Sequence, residues 1–390
     1  MGMKGPIITL NEVKRSNLRA VLALLVRSGE LSRVEIAERL GCDNTTVSRA
    51  VRELIARGIV GTAGRNGGSP GRPRVALRVD PEGPQLIGIA LEPECVTGVL
   101  TDLASSVRHS EKVIFRDVSS QEAYLMAAEE IVAKLVSRAG ERLAGVGATV
   151  FGSYYGKDFT VEKAAALPLL NGVKLRPFFD RAAGREVLIC DHTVSRARLL
   201  ARRYPELNSG TVLLAAAGRG LGLAAAENGR LLFSRNGHGG EFGHMVRIPD
   251  GIPCACGRRG CLETVSSTAA MTENYRRRTG RSVSFDVLAE EFRRGSAEAE
   301  SAVLPALDEL GRALSEQLNN WQADKLAVTG DVLKLGPRFE AYLTRKIEAG
   351  IFSLVRESLS FHFPDLRDED SLAVGASISA SDAFVADFGA

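Results

Sequence analysis

Four residues of the 390-residue chain offer soft metal ligands close together: His244, Cys254, Cys256 and Cys261. Three thiolates and one imidazole match tetrahedral Zn2+ with no open coordination position, so the expected role is structural. Gly257 and Gly260 let the loop turn tightly around an ion. A Cys-x-Cys pair alone reads as free thiols in a reduced compartment; the imidazole and the glycines favour the metal. The other cysteines, Cys42, Cys95 and Cys190, are isolated, and the cluster is too tight for a disulfide framework.

A second chemistry lies at the N-terminus. Asn44, Thr45, Thr46, Ser48, Arg49 and Arg52 fall on one face of an expected helix and can bond to base edges and phosphates. Between Leu54 and Val79 the chain has no acidic residue but carries Arg57, Arg65, Arg72, Arg74 and Arg78. A Gly-rich arm of this kind suits a DNA backbone or a narrow minor groove, with Arg65, Arg72 and Arg74 as contacts. Residues 1–80 hold 14 Lys and Arg against 7 Asp and Glu, whereas the remainder holds 36 against 40. A basic head on a mildly acidic body points to a polyanionic partner for the head.

The elements that must position these groups follow from periodicity. Apolar residues Val13, Leu18, Val21, Leu22 and Leu25 recur at helical spacing up to Gly29. Ser32 and Glu35 form a capping box for a second helix that stops at Gly41. Asp43 or Asn44 caps a third helix to about Arg57, buried through Val47, Val51, Leu54 and Ile55. Ile59-Val60 and Val75–Val79, joined by a Gly/Ser/Pro tip, read as a β-wing. Helix, turn, second helix and wing make a winged helix-turn-helix over residues 1–80, with 81–84 as linker.

The body, residues 85–390, repeats one order. Strands at Leu86–Leu91, Val96–Thr101 and Val107–Phe115 precede a helix over Gln121–Arg138 and a strand at Val146–Phe151. Strands at Thr211–Ala217, Leu221–Glu227 and Leu231–Phe233 precede a helix over Glu298–Gln317 and a strand at Lys325–Thr329. A duplicated α/β unit implies two lobes around a cleft. Hydrophobic residues at 45% and charged residues at 25% are ordinary for a globular protein and exclude disordered, collagen and coiled-coil classes. No stretch approaches a spanning helix and no signal segment opens the chain, so a cytoplasmic location is expected.

The block Asn236-Gly-His-Gly-Gly-Glu-Phe-Gly-His244 through Cys254-Ala-Cys-Gly-Arg-Arg-Gly-Cys-Leu-Glu263 resembles the signature of the ROK family (repressors, open reading frames, sugar kinases). The resemblance extends over essentially the whole chain, including a wing ending Gly71-Arg-Pro-Arg74. It implies an actin/hexokinase-like two-lobed body with a sugar in the cleft beneath the zinc loop. Glu241, His244 and Glu263 carry over as contacts to sugar hydroxyls, and Asp191 falls at the family's catalytic base. From its own position after Val187–Cys190, Asp191 serves equally well as a helix N-cap.

Departures from the family's kinases separate enzyme from regulator. The phosphate-holding turn after the first strand is Ala90-Leu-Glu-Pro-Glu94, where Pro93 removes an amide donor and two glutamates would repel a triphosphate. The second-lobe Gly-Thr-Gly turn is Gly218-Arg219-Gly220, and the late Gly-Gly pair is Gly330-Asp331. Two Asn positions are Cys190 and Ala166. Phosphoryl transfer from magnesium-ATP is therefore expected to be lost, leaving Asp191 as a relic. The resemblance implies a transcriptional regulator, a repressor of carbohydrate genes, that binds double-stranded operator DNA as a homodimer or tetramer and senses a sugar or sugar derivative. The rivals are an active sugar kinase with a DNA-binding head and a scaffold that docks a transport protein.

Overall fold

The computed structural model describes residues 9–66, 74–116, 120–232 and 237–388. The head contains α1 (Leu10–Ser28), α2 (Arg33–Leu40), α3 (Asn44–Ala56), β1 (Val60–Asn66) and β2 (Arg74–Val79). Its helix starts are fixed by side-chain caps. Thr9 and Glu12 form a capping box on α1, Ser32 and Glu35 one on α2, and the Asp43 carboxylate accepts the Thr46 amide at the start of α3. Gly41 ends α2 at φ +62°, a left-handed conformation that costs glycine little. Leu18, Leu22, Leu25, Ile36, Val47, Val51, Leu54 and Leu77 are buried together. Val13 and Ile55, expected inside, are 44% and 39% exposed. The helical period placed them at the margins of the apolar stripe, and the small head has no layer to cover those margins. β1 and β2 pair antiparallel, with an irregularity between Thr62 and Arg65. The tip of the wing, Arg72 included, lies outside the described residues.

The first lobe contains β3 (Gln85–Glu92), β4 (Cys95–Asp102), β5 (Val107–Ile114), α4 (Gln121–Ala139) and β6 (Leu143–Val150). It continues with the hairpin β7 (Ser153–Tyr155) and β8 (Thr160–Lys163), α5 (Leu175–Ala183), β9 (Val187–Asp191) and α6 (His192–Arg203). The second lobe contains β10 (Thr211–Ala217), β11 (Leu221–Glu227), β12 (Arg230–Leu232), α7 (Glu263–Ser266), α8 (Thr268–Thr279), α9 (Phe285–Arg293) and α10 (Ala297–Trp321). It closes with β13 (Lys325–Thr329), α11 (Pro337–Gly350), α12 (Ser353–Ser358), β14 (Ser360–His362) and α13 (Ser371–Asp387).

The duplication is visible in the sheets. The strand orders are β5-β4-β3-β6-β9 and β12-β11-β10-β13-β14. In each, an antiparallel meander is extended by two parallel strands. A return to parallel pairing needs a crossover, which α4 supplies once and α7 to α10 the second time. The inner strands β3, β4 and β10 are near-continuous buried runs because both of their faces are covered, whereas the edge strand β5 alternates exposed and half-buried residues.

Helix α13 crosses back from the second lobe onto the first sheet. A Cβ at Gly88 or Gly147 would collide with the carbonyls of Ala373 and Ala376. Glycine at these strand positions thus lets helix backbone lie directly on the sheet. The C-terminal end of α13 reaches the head: Ala380 and Phe388 join its apolar cluster, the Arg19 Nε donates to the Phe388 carbonyl at 2.9 Å, and Arg57 lies over the Phe388 ring at 5.2 Å.

Candidate functional site: a metal loop over an interlobe cleft

The His244, Cys254, Cys256 and Cys261 ligand atoms all lie within 4.8 Å of one another. The Cys254 Sγ is 3.6 Å from the His244 Nδ1, and the Cys256 and Cys261 Sγ atoms are 3.6 Å apart. A tetrahedral zinc with bonds of about 2.0–2.3 Å requires ligand–ligand edges of about 3.5–3.8 Å, so the donor set fits in type, and the two 3.6 Å pairs fit in size. The loop is preorganised by backbone pairing: Cys254 N donates to the Arg258 carbonyl, Gly260 N to Ile252, and Leu262 N to Met245, each at 2.8 Å. Gly260, at φ +67°, lies so close to the Ile248 carbonyl that a side chain would collide with it. Burial opposes ionisation of Cys256, but the Arg258 amide and side chain and the neighbouring thiols bring its pKa down to about 6. The thiolate form, which a metal needs, is thereby favoured at Cys256, whereas burial raises the Cys254 and Cys261 thiols.

The second ring nitrogen of His244 faces the cleft, with Nε2 3.9 Å from the Glu241 Oε2. Glu263 is largely buried, opens α7, and accepts the Leu221 amide at 3.1 Å. Burial raises the Glu263 pKa and His244 opposes that rise. Glu241 is 60% exposed. Asp191 is both the last residue of β9 and the N-cap of α6: Oδ1 accepts the Val194 amide at 2.7 Å and Oδ2 the Gly239 amide at 2.5 Å. Asp191 thus caps α6 and lines the cleft at once. Burial raises its pKa, and the two amides lower it. All four residues line one cleft of about 740 Å³, a size typical of small-molecule sites. Ala166 lines it too, whereas Cys190 is buried beneath.

Among the cleft residues not identified from sequence are His238 and Arg196. His238 stacks on Tyr154 at 3.9 Å, donates from Nε2 to the Tyr154 carbonyl at 3.0 Å, and places Nδ1 3.8 Å from the Asp191 Oδ2. Its signal was its place in the Asn236–His244 block. Arg196, one turn and a half into α6, also lines the cleft; nothing in its sequence neighbourhood marked it.

On the head, Asn44, Thr45, Arg49 and Arg52 are exposed on α3, while Thr46 and Ser48 are half-buried. The Thr46 hydroxyl donates to the Asp43 Oδ2 at 2.7 Å, so this side chain is engaged in the cap. Arg65 and Arg74 lie on β1 and β2, and only their backbones are described.

The ROK family model matches residues 86–383, and a winged helix-turn-helix DNA-binding model matches residues 14–60. The chain is 23% identical over 382 residues to the DNA-binding transcriptional dual regulator NagC of Escherichia coli K12, covering 94% of this chain and 92% of the relative. It is 22% identical over 383 residues to the xylose repressor of Bacillus subtilis, covering 96% and 97%. Among solved structures, a ROK family transcriptional regulator homologous to the E. coli Mlc protein superposes with a TM-score of 0.77 at 20% identity, covering 96% of this chain and 97% of that one. The ROK hexokinase of Thermus thermophilus superposes with a TM-score of 0.63 at 20% identity, covering 77% of this chain and 98% of that one. That match has the extent of the body without the head. No helix among the described residues is long and apolar enough to cross a membrane. Because one family model spans most of the chain and falls on the duplicated sheets and the cleft between them, the protein belongs to the ROK family.

Proposed function

We propose that the protein is a transcriptional regulator that binds operator DNA through residues 1–80 and senses a sugar or sugar derivative in the cleft of residues 85–390. Within this reading it acts as a repressor of carbohydrate genes, in the cytoplasm and as a homodimer or tetramer. One observation carries the proposal: α6 is capped by Asp191 in the cleft and carries in its last turn Arg202, which donates to the Val26 carbonyl of the head at 3.0 Å. A ligand that prefers one lobe arrangement thus has a direct mechanical route to the DNA-reading helices.

Zinc, held by His244, Cys254, Cys256 and Cys261, is structural in this reading. It would fix the loop so that the Nε2 of His244 and the carboxylates of Glu241 and Glu263 converge on one polyol. Such a cluster offers both donors and acceptors, as sugar hydroxyls require. Asp191 contributes a further acceptor, its lone pairs only partly used by the two amides. The protein works without phosphoryl transfer, because Pro93, Glu92, Glu94, Arg219 and Asp331 stand where a nucleotide would need amides, a hydroxyl and space. The major groove is read by Asn44, Thr45, Ser48, Arg49 and Arg52, with Thr46 at the helix cap and Arg65, Arg72 and Arg74 on the wing.

The test is fluorescence anisotropy on DNA from upstream of the protein's own gene, with a panel of sugars added at millimolar concentration. A sugar that changes operator affinity in wild type, but not in Glu241→Ala with zinc retained, is the expected result. An effector whose action survives both Glu241→Ala and Glu263→Ala would remove the cleft from the reading.

A further inference from the structure

Helix α6 carries four arginines, and three of them have partners in the fold. Arg198 pairs with Asp382, Arg203 pairs with Asp368, and Arg202 donates to the Val26 and Leu103 carbonyls. Arg196 differs. It lines the cleft, yet among the described residues its guanidinium forms neither an ion pair nor a hydrogen bond, and its Nε is buried without a partner. Asp331, Glu92 and Asp191 act on it only through space, against a burial that disfavours its charge. By contrast, Arg219 and Arg277, which also line the cleft, pair with Glu94 at 2.9 Å and with Glu273 at 2.8 Å.

His192 stands four residues before Arg196, on the same face of α6. It too lines the cleft, is only 4% exposed, and has no hydrogen-bond partner at either ring nitrogen. Burial and the Arg196 charge keep its imidazole neutral against the pull of the Thr149 and Leu91 carbonyls. It therefore offers one N–H and no second positive charge. Two side chains one turn apart thus leave buried nitrogens unsatisfied at the cleft wall. Such nitrogens are costly, more so on a charged group, and in a native chain each calls for a functional explanation.

The donors define the group that would satisfy them. A guanidinium holds an oxyanion, carboxylate or phosphate, by two parallel N–H bonds from a fixed fork. The cleft lining carries as many Lys and Arg as Asp and Glu, so its net field does not repel a single anion. Asp191 lies five residues before Arg196, about 7.5 Å along the helix axis, and the Gly239 amide ties it to the segment that leads to the metal loop. A monosaccharide seated against Asp191 and Glu241 would direct a terminal substituent along α6 toward Arg196.

We propose that Arg196, with the His192 N–H beside it, is an anion-recognition subsite of the cleft, and that the effector is a sugar bearing one acidic group, a phosphate ester or a carboxylate. The sugar rests on the proposed sensing function; the anion subsite does not.

One readout needs no ligand. Arg196→Met keeps a long unbranched side chain and removes the charge, so in chloride buffer the variant should melt no lower than wild type. An arginine that served as counter-ion to Glu92 and Asp331 would make the variant melt several degrees lower, and that result would overturn the proposal. The second readout uses inorganic phosphate, with acetate in parallel, titrated into the full chain and followed by calorimetry and melting temperature. Wild type is expected to bind at least one of them saturably at millimolar concentration and to melt higher with it. Arg196→Met should bind at least about tenfold more weakly and keep only the general stabilisation that phosphate salts give any protein. Arg196→Lys, with the charge but not the fork, should fall between the two. Phosphate held by the arginines of the head would bind Arg196→Met as tightly as wild type. Equal binding of that kind sinks the subsite, as does no saturable binding of either anion up to about 50 mM.

The third readout is operator anisotropy with aldoses, their 6-phosphates and their uronates, which separates a phosphate from a carboxylate. If anions bind through Arg196 but no acidic sugar alters operator affinity, the subsite stands and the sensing function falls. If neutral sugars act and their acidic counterparts do not, the sensing function stands and the acidic effector falls.

Discussion

The Arg202 guanidinium donates from Nη1 to the Val26 carbonyl at 3.0 Å and to the Leu103 carbonyl at 3.1 Å. Val26 stands in the last turn of α1, where carbonyls lack intrahelical donors and the helix dipole favours a cation. Arg202 lies near the end of the helix that Asp191 caps, and its side chain is only 10% exposed. Asp382 of α13, 3.6 Å away, balances its charge. Cleft, α6, α13 and head are thereby joined through a single side chain.

Arg202→Ala should therefore do two things. Losing hydrogen bonds from a charged, mostly buried donor should cost about 1.5–3 kcal/mol of stability, measured by urea unfolding. It should also shrink the effector's influence on operator affinity, with effector binding to DNA-free protein nearly unchanged. If the ratio of operator affinities with and without effector were unaltered, the route through α6 would be wrong.

Purified protein should contain close to one zinc per chain by elemental analysis. Cys256→Ser should lose most of the metal and melt earlier, because the loop between Met245 and Leu262 has few buried apolar groups to hold it. Chelation of wild type should reproduce that shift, and re-addition of zinc should reverse it. Full zinc content and an unchanged melting temperature in Cys256→Ser would exclude the four-ligand site.

DNA affinity should depend on α3 and on the wing in two distinguishable ways. Arg49→Ala is expected to cost ~1–3 kcal/mol chiefly on the operator if it reaches a base edge. Arg72→Ala should weaken binding to all sequences and flatten the salt dependence by about one unit of slope. Asp43→Ala removes the acceptor that caps the Thr46 amide, so it should lower stability by about 0.5–2 kcal/mol more than it changes sequence preference. A fragment lacking residues 1–80 that still bound operator would refute the assignment.

Sugar-dependent ATP turnover should be absent. A coupled ADP-release assay across many sugars is expected to stay below ~1 s⁻¹, the low end for ordinary enzymes. Faster turnover that disappears in Asp191→Asn would restore the kinase reading.

Local chemistry made much of this protein legible in its sequence. The caps at Ser32 and Asp43, the glycine stops, the apolar period and the ligand spacing of the metal loop each depend on residues close together in the chain. Their geometry is set by short-range sterics and hydrogen bonding, so residue type and spacing suffice. The repeated strand order was visible for the same reason, since each meander is a run of neighbouring elements.

What tertiary structure decided is whatever joins distant segments. Glycine at Gly88 and Gly147 is explained only once α13, more than 200 residues later in the chain, lies on β3 and β6. Val13 and Ile55 satisfied the helical period yet remained at its exposed margin, because burial depends on a covering layer that the pattern cannot specify. The sequence left Asp191 open between cap and cleft residue, and only the fold brought the Gly239 amide to its second oxygen. Arg196 and Arg202 lie on the same helix, α6, but the packing of two lobes and a head placed one in the cleft and the other against α1. Burial and electrostatic partners are properties of the assembled chain, and they separate arginines that local sequence treats as equivalent.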